Sequence, residues 1–208
     1  MDENGFRRCF SLRCRSDEGR DSGMKQSRRA YFALKRGADI VFAALGLVVL
    51  ALPMLLVAAV VRVDSGRGVI FAQERVGRYG KHFLIYKFRT MNAGGKVTRV
   101  GRFLRRASID ELPQLWNILR GDMSFIGYRP VIPAEEELVR LRAEAGVFEL
   151  RPGLTGLAQV SGRDKLTPAP KTAFDKTYTE QCSVSLDLCI LCRTVVCVLR
   201  HTDVTDKP

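Results

Sequence analysis

Histidine is nearly absent: in 208 residues only His82 and His201 carry an imidazole, and they stand far apart in the chain. That argues against a His-based triad or a His-rich metal site and moves any catalytic burden onto carboxylates, Arg and Lys. Acids are outnumbered, with Asp+Glu 22 against Lys+Arg 34, so the formal net charge is +12. So basic a chain seeks nucleic acid, anionic lipid or a phosphorylated substrate. Aromatics are not interleaved with the basic residues and no reading helix is recognisable, which counts against nucleic acid. The loop "NAGGK" (92–96) lacks the spacing of a phosphate-binding P-loop. Internal repeats, low-complexity tracts and a cleavable signal peptide are not seen, so reduced thiols are expected for Cys9, Cys14, Cys182, Cys189, Cys192 and Cys197. Cys189-x-x-Cys192 lies inside the apolar run "SLDLCILCRTVVCVLR". There cysteine reads as a small hydrophobe on a helix, not as a redox or zinc site.

What the chain does have is one long apolar run. "ADIVFAALGLVVLALPMLLVAAVV", Ala38 to Val61, holds a single charge, Asp39. At ~1.5 Å per helical residue it is long enough to cross a bilayer core. Pro53 lies within it and should bend the helix there, because it cannot donate to the carbonyl of Val49. Arg28, Arg29, Lys35 and Arg36 precede the run; Arg62, Arg67, Arg75, Arg78 and Lys81 follow it. A spanning helix shows its Lys/Arg excess on one flank. Two basic flanks favour a helix that enters the cytoplasmic leaflet, turns at Pro53 and leaves by the same face, with an ordinary spanning helix as the alternative.

These patterns predict a mostly helical α+β fold in three parts: a flexible basic arm (1–29), a re-entrant membrane anchor (30–64) and a cytoplasmic catalytic domain (65–208) ending in membrane-associated helices. In the last part, Val69 to Gln73 and Phe83 to Phe88 read as strands of a short β-hairpin turning through Gly77 and Gly80. "TRVGRFLRRAS" reads as a basic amphipathic helix. Ile132 to Gly146 reads as a surface helix with Pro133 in its first turn. Arg151 to Asp164 reads as an irregular loop, and "KTAFDKTYTEQCS" and "SVSLDLCILCRTVVCVLR" as two final helices.

"SIDELPQLWNIL" sets two carboxylates, Asp110 and Glu111, just ahead of Pro113. Proline is harmless in a helix only in its first turn, so the helix should begin near Ser108 to Asp110. The acids would then sit at its N-terminal end, kept ionised by the dipole, where a phosphate or a phosphate-bound metal ion also fits. Ser108-x-x-Glu111 also matches a capping box, the bland alternative. Around the pair lie Arg102, Arg105 and Arg106, Lys87 and Arg89 in "YKFRTM", and Arg129-Pro130. Acids ringed by fixed cations beside a membrane segment suit phosphoryl chemistry, with one carboxylate free to attack phosphorus.

"QERVGRYGKHFLIYKFRTM", "GRFLRRASIDELPQLWNILRGDMSFIGYRP" and "LRPGLTGLAQVSGR" resemble, in order, the signatures of the bacterial sugar transferases, the monotopic phosphoglycosyl transferases. The resemblance runs from about Lys35 to Leu199. It implies an enzyme of the bacterial inner membrane, both termini and active site cytoplasmic, that moves a sugar-1-phosphate from a UDP-sugar to polyprenyl (undecaprenyl) phosphate, releases UMP, and starts exopolysaccharide, O-antigen or glycoconjugate assembly. It implies a ping-pong route through a covalent aspartyl-phosphosugar, with Mg²⁺ required. By motif, Asp110 is the nucleophile and Glu111 assists it, the two serving also as metal ligands. Arg105 and Arg129 hold phosphates; Lys87, Arg89, Pro130, Gln159, Arg163 and Asp187 complete the expected site. Leu52 and Tyr128 depart from the family's usual Ser and Pro. Two other classes stand beside this one: a membrane-anchored basic binding module whose acid pair only caps a helix, and an inactive enzyme-like scaffold.

Overall fold

The computed structural model describes residues 21–66, 68–162 and 166–199. The chain divides into two units, residues 1–34 and 35–208. In the first, helix α1 (Asp21–Val49) begins inside the stretch read as an arm; residues 1–20 lie outside the described residues. Arg28 lies over the Phe32 ring there at 5.8 Å.

In the second unit, α1 ends at Val49 and α2 (Ala51–Ser65) follows, bent by 62° from it. The break falls at Leu50, not at Pro53. Pro53 becomes the third residue of α2, where a backbone N–H has no intrahelical partner to lose, so moving the break upstream accommodates the proline without a kink. Polar side chains just ahead of the apolar run and at its start bind α1 to the rest of the unit. Lys35 Nζ lies 2.7 Å from Asp187, Arg36 donates to the carbonyls of Ile118 (2.7 Å) and Leu119 (2.9 Å), and Asp39 accepts from Ser124 Oγ and the Phe125 amide, both at 3.1 Å. The one charge in the apolar run is therefore buried against a strand.

The alternating segments form the antiparallel hairpin β1 (Ile70–Val76) and β2 (His82–Phe88), in register from Ile70 opposite Phe88 to Val76 opposite His82. Its buried residues feed three core clusters. Val76 packs with Tyr128, Val131 and Phe148; Ile85 with Ala43, Leu115, Ile118 and Met123; Phe88 with Val61 and Leu104. Helix α3 (Arg99–Arg106) is capped by Thr98, whose Oγ1 accepts from the Gly101 amide at 2.9 Å. Helix α4 (Gln114–Arg120) is stitched to β2 by the fully buried Asn117, which accepts from the Tyr86 amide (3.1 Å) and donates to the Leu84 carbonyl (2.7 Å).

Two expectations are corrected here. Arg151 to Asp164 is not irregular throughout: β4 (Gly153–Thr155) pairs in parallel with β3 (Ser124–Ile126), and α6 (Leu157–Ser161) follows. The surface helix α5 spans only Glu136–Glu144, because Val131 is already held extended by its bridge to Val76, leaving Pro133 ahead of the helix. Helices α7 (Pro168–Gln181) and α8 (Val184–Leu199) close the unit, and Cys182, Cys189, Cys192 and Cys197 are free thiols.

Candidate active site

Asp110 and Glu111 do not open an α-helix. They sit on a 3-10 turn, Ile109–Glu111, and α4 starts only after Pro113. The capping box is not formed: Ser108 makes no side-chain cap and adopts φ 55°, a left-handed conformation that costs a β-carbon-bearing residue about 1 kcal/mol or more. That reversal turns the acid pair inward, into a cleft of about 760 Å³. Asp110 is only 9% exposed. No side chain among the described residues hydrogen-bonds its carboxylate. Its pKa is pushed up to about 6, first by burial and then by the Glu111 charge, with Lys87 and Arg105 pulling the other way. The expectation that a helix end stabilises both anions is thus overturned at Asp110. Desolvation and the neighbouring acid dominate because the turn is too short to present an aligned dipole.

Glu111 is tied down. Lys87 Nζ lies 2.6 Å from its Oε1, and Arg129 Nη2 lies 3.8 Å from the same oxygen. Lys87 reaches it from the end of β2. Arg105, on the last turn of α3, is aimed by Thr90, whose Oγ1 accepts from its Nε at 2.9 Å. That approach needs Gly101, since a β-carbon there would overlap the Thr90 backbone. Arg129 is half exposed, and its own carbonyl is fixed by the buried Arg142, which also pairs with Asp175 at 2.6 Å.

The cleft thus gathers eight of the expected site residues: Lys87, Arg89, Arg105, Asp110, Glu111, Arg129, Pro130 and Gln159. Arg89 lines it but spends its guanidinium on the carbonyls of Gly68 (2.7 Å) and Ile70 (3.3 Å) at the base of the hairpin. Gln159 donates to the Leu154 carbonyl at 3.1 Å. Asp187 is not among the cleft's walls; it joins Lys35 and Tyr178, whose hydroxyl donates to it at 2.6 Å. Its place is at a helix junction. Arg163 lies outside the described residues. Thr90, Asn117 and the Arg142–Asp175 pair are supports that pattern reading missed, since each acts through a partner remote in sequence. No cluster of three or more metal-type side chains exists among the described residues. The donor set is two adjacent carboxylates, which suits a hard cation whose remaining ligands are water and substrate phosphate oxygens.

A carboxylate desolvated with no side-chain hydrogen bond among the described residues, beside a second acid held by Lys and Arg, is equipped to form a bond to a phosphorus whose oxygens those cations neutralise. Comparison with known proteins shows the family. A sequence model described as bacterial sugar transferase matches residues 30–201. The chain belongs to the bacterial sugar transferase family. As a sugar transferase of this family it is an enzyme, of the phosphoglycosyl transferase type. It is 38% identical over 196 residues to the exopolysaccharide production protein ExoY of Sinorhizobium fredii, covering 80% of this chain and 86% of that protein. It is 42% identical over 186 residues to the UDP-glucose:undecaprenyl-phosphate glucose-1-phosphate transferase of Caulobacter vibrioides, covering 79% of this chain and 69% of that one. It is 34% identical over 204 residues to the undecaprenyl-phosphate galactose phosphotransferase of Salmonella typhimurium, covering 84% of this chain but 42% of that relative.

Proposed function

We propose that this sugar transferase moves a sugar-1-phosphate from a UDP-sugar to polyprenyl (undecaprenyl) phosphate, in the service of exopolysaccharide or related glycan assembly. One observation carries the reading: Asp110 is buried, accepts no side-chain hydrogen bond among the described residues and is charged for most of the time at neutral pH, in a cleft walled by Lys87, Arg105 and Arg129. The substrates for which the Caulobacter and Salmonella relatives are named support it.

In the first half-reaction a carboxylate oxygen of Asp110 forms a bond to the β-phosphorus of the donor. The bond from that phosphorus to the oxygen bridging it to the α-phosphate breaks, and UMP leaves with the electron pair. In the second, a phosphate oxygen of the acceptor attacks the same phosphorus, the aspartyl oxygen–phosphorus bond breaks, and the carboxylate is regenerated. Burial serves this directly, because an anion stripped of water is the stronger nucleophile. Lys87 and Arg129 pair with Glu111 and face the phosphate oxygens, and Arg105 adds a third cation. Asp110 and Glu111 would hold Mg²⁺, which supplies charge neutralisation on the diphosphate when bound.

The acceptor is a lipid, and α1 and α2 offer the means to meet it. Among the described residues no single helix is long and apolar enough to cross a membrane. Yet Val41, Phe42, Leu45, Val48, Leu52, Leu55 and Leu56 are exposed along the outer side of the bent pair. Such a surface belongs in hydrocarbon. The 62° bend supports a re-entrant anchor that enters and leaves by the cytoplasmic leaflet of the inner membrane, with basic flanks on the anionic surface. Leu188, Val195 and Val196 leave an apolar side of α8 exposed, in keeping with interfacial contact.

Membrane-embedded protein is to be incubated with a panel of UDP-sugars, with and without polyprenyl phosphate, scoring UMP and the mass of the chain. One UDP-sugar should release UMP, leave a phosphosugar on Asp110 when acceptor is withheld, and turn over when it is added. Turnover without an adduct would refute the covalent route; anionic-lipid or nucleic-acid binding with no UMP from any donor would favour the binding-module reading.

A further inference from the structure

Behind Glu111 the floor of the cleft drops into a recess of about 10 Å³, room for a single water-sized group. Arg75, Lys87, Glu111, Arg129 and Pro130 line both recess and cleft; Gln114 lines the recess alone. Two of these walls carry donors with nothing to donate to. Gln114 is 2% exposed, and its buried Nε2 finds no acceptor among the described residues. Arg75 gives Nη1 to the Pro130 carbonyl (3.1 Å) and Nη2 to Gln73 Oε1 (2.6 Å), but its buried Nε is likewise unpartnered. Leaving one buried donor unsatisfied is destabilising, and leaving two in the walls of one small recess asks for a shared acceptor.

The nature of that acceptor follows from the remaining walls. Lys87 and Arg129 are cations, and the only acid, Glu111, already faces both. A water would satisfy the two donors and give its protons to Glu111, whereas an anionic oxygen would meet the same two donors and draw on both cations. An anionic oxygen has lone pairs and no proton. Burial, and then the like charge of Arg129, both disfavour a charged Arg75, and an anion in the recess opposes both.

We propose that Gln114 Nε2 and Arg75 Nε form a subsite that takes one anionic oxygen of a phosphate ester bound in the cleft. The inference rests on the phosphoryl-transfer reading above and adds two residues to it. The ester has two sources, the nucleotide phosphate of the donor and the phosphate of the lipid acceptor, and they are separated by the half-reactions.

The test uses the full chain in lipid nanodiscs and two variants, Gln114→Met, which keeps length but removes the donors, and Gln114→Glu, which keeps shape but adds a negative charge. Three quantities are read: calorimetric affinity for UMP, adduct formation from UDP-sugar alone, and transfer of the adduct to polyprenyl phosphate. Gln114→Met should weaken at least one about tenfold, in line with a lost hydrogen bond to a charged group. Gln114→Glu should weaken the same one further, while the thermal midpoint of Gln114→Met stays at or above that of the wild type. Loss in UMP affinity or adduct formation assigns the subsite to the donor; loss confined to transfer assigns it to the acceptor. Wild-type values in all three for both variants overturn the proposal and leave the recess to water. Wild-type protein that releases no UMP from any UDP-sugar overturns the functional reading instead, and UMP affinity then judges the subsite alone.

Discussion

Replacing Asp110 with Asn should make a dead enzyme that is more stable than the wild type, and by an amount that depends on pH. In the fold the Asp110 carboxyl titrates at about 6, against 3.8 for an ordinary aspartate. Folded protein therefore binds this proton more tightly than unfolded chain, and as pH rises through the window from 3.8 to 6 the ionised folded form is progressively penalised. At 1.36 kcal/mol per unit the penalty is about 3 kcal/mol at pH 7.5 and about 0.5 kcal/mol at pH 4. Asn keeps the shape without the charge, so its thermal midpoint should exceed the wild type's by about 6 to 12 °C at pH 7.5, with the gap nearly closed at pH 4. Paired melting curves in lipid nanodiscs at the two pH values, with UMP release measured at pH 7.5, provide the assay. Equal midpoints at both pH values would show that burying Asp110 carries no strain, and the argument for a desolvated nucleophile would fall; retained UMP release would remove it from the chemistry altogether.

The same titration predicts that wild-type UMP release at limiting donor halves near pH 6 and drops about tenfold by pH 5, since only the carboxylate attacks; a flat profile would contradict this. Lys87→Met removes the cation that most lowers the Asp110 pKa and leaves the Glu111 charge less balanced, so the acidic limb should move to higher pH along with a loss of rate. Gly101→Ala forces α3 away from Thr90 and should break the Arg105 hydrogen bond, raising the KM for UDP-sugar and lowering the thermal midpoint. Arg142→Met strands the buried Asp175 and should cost ~3–5 kcal/mol in denaturant unfolding, part of it restored by adding Asp175→Asn.

Much of the scaffold was legible because its signals are local. Period-two alternation around Gly77 and Gly80 marks the hairpin, and basic-apolar periodicity marks α3. The β3–β4 pair was not, because Ser124–Ile126 and Gly153–Thr155 are three-residue strands that become strands only on meeting each other. Pro53 announced a break in the apolar helix but not its place, which its missing N–H moves to Leu50. At the site, residue types and their neighbourhood pointed to Asp110, Glu111, Lys87, Arg105 and Arg129 as a group, and the fold sets them round one cleft. Their electrostatics were not readable, because Ser108 takes a left-handed turn that no composition rule signals, and burial rather than a helix end then governs Asp110. Asp187 enters the expected site only through its likeness to the acid of the family's final helix; that it meets Lys35 and Tyr178 at a helix junction depends on partners remote in sequence or on another helix.

Lys35, Arg36 and Asp39 give the greasy half of this enzyme a grip on its working half. Deleting everything up to residue 50 to obtain a water-soluble fragment would take the ammonium from Asp187, leaving it only neutral company such as Tyr178, and the Arg36 and Asp39 contacts from two carbonyls at the end of α4 and from the Phe125 amide in one cut. What remained would be less a trimmed enzyme than an unclosed one, and biochemistry on this protein is best done with its hydrophobic half left in place.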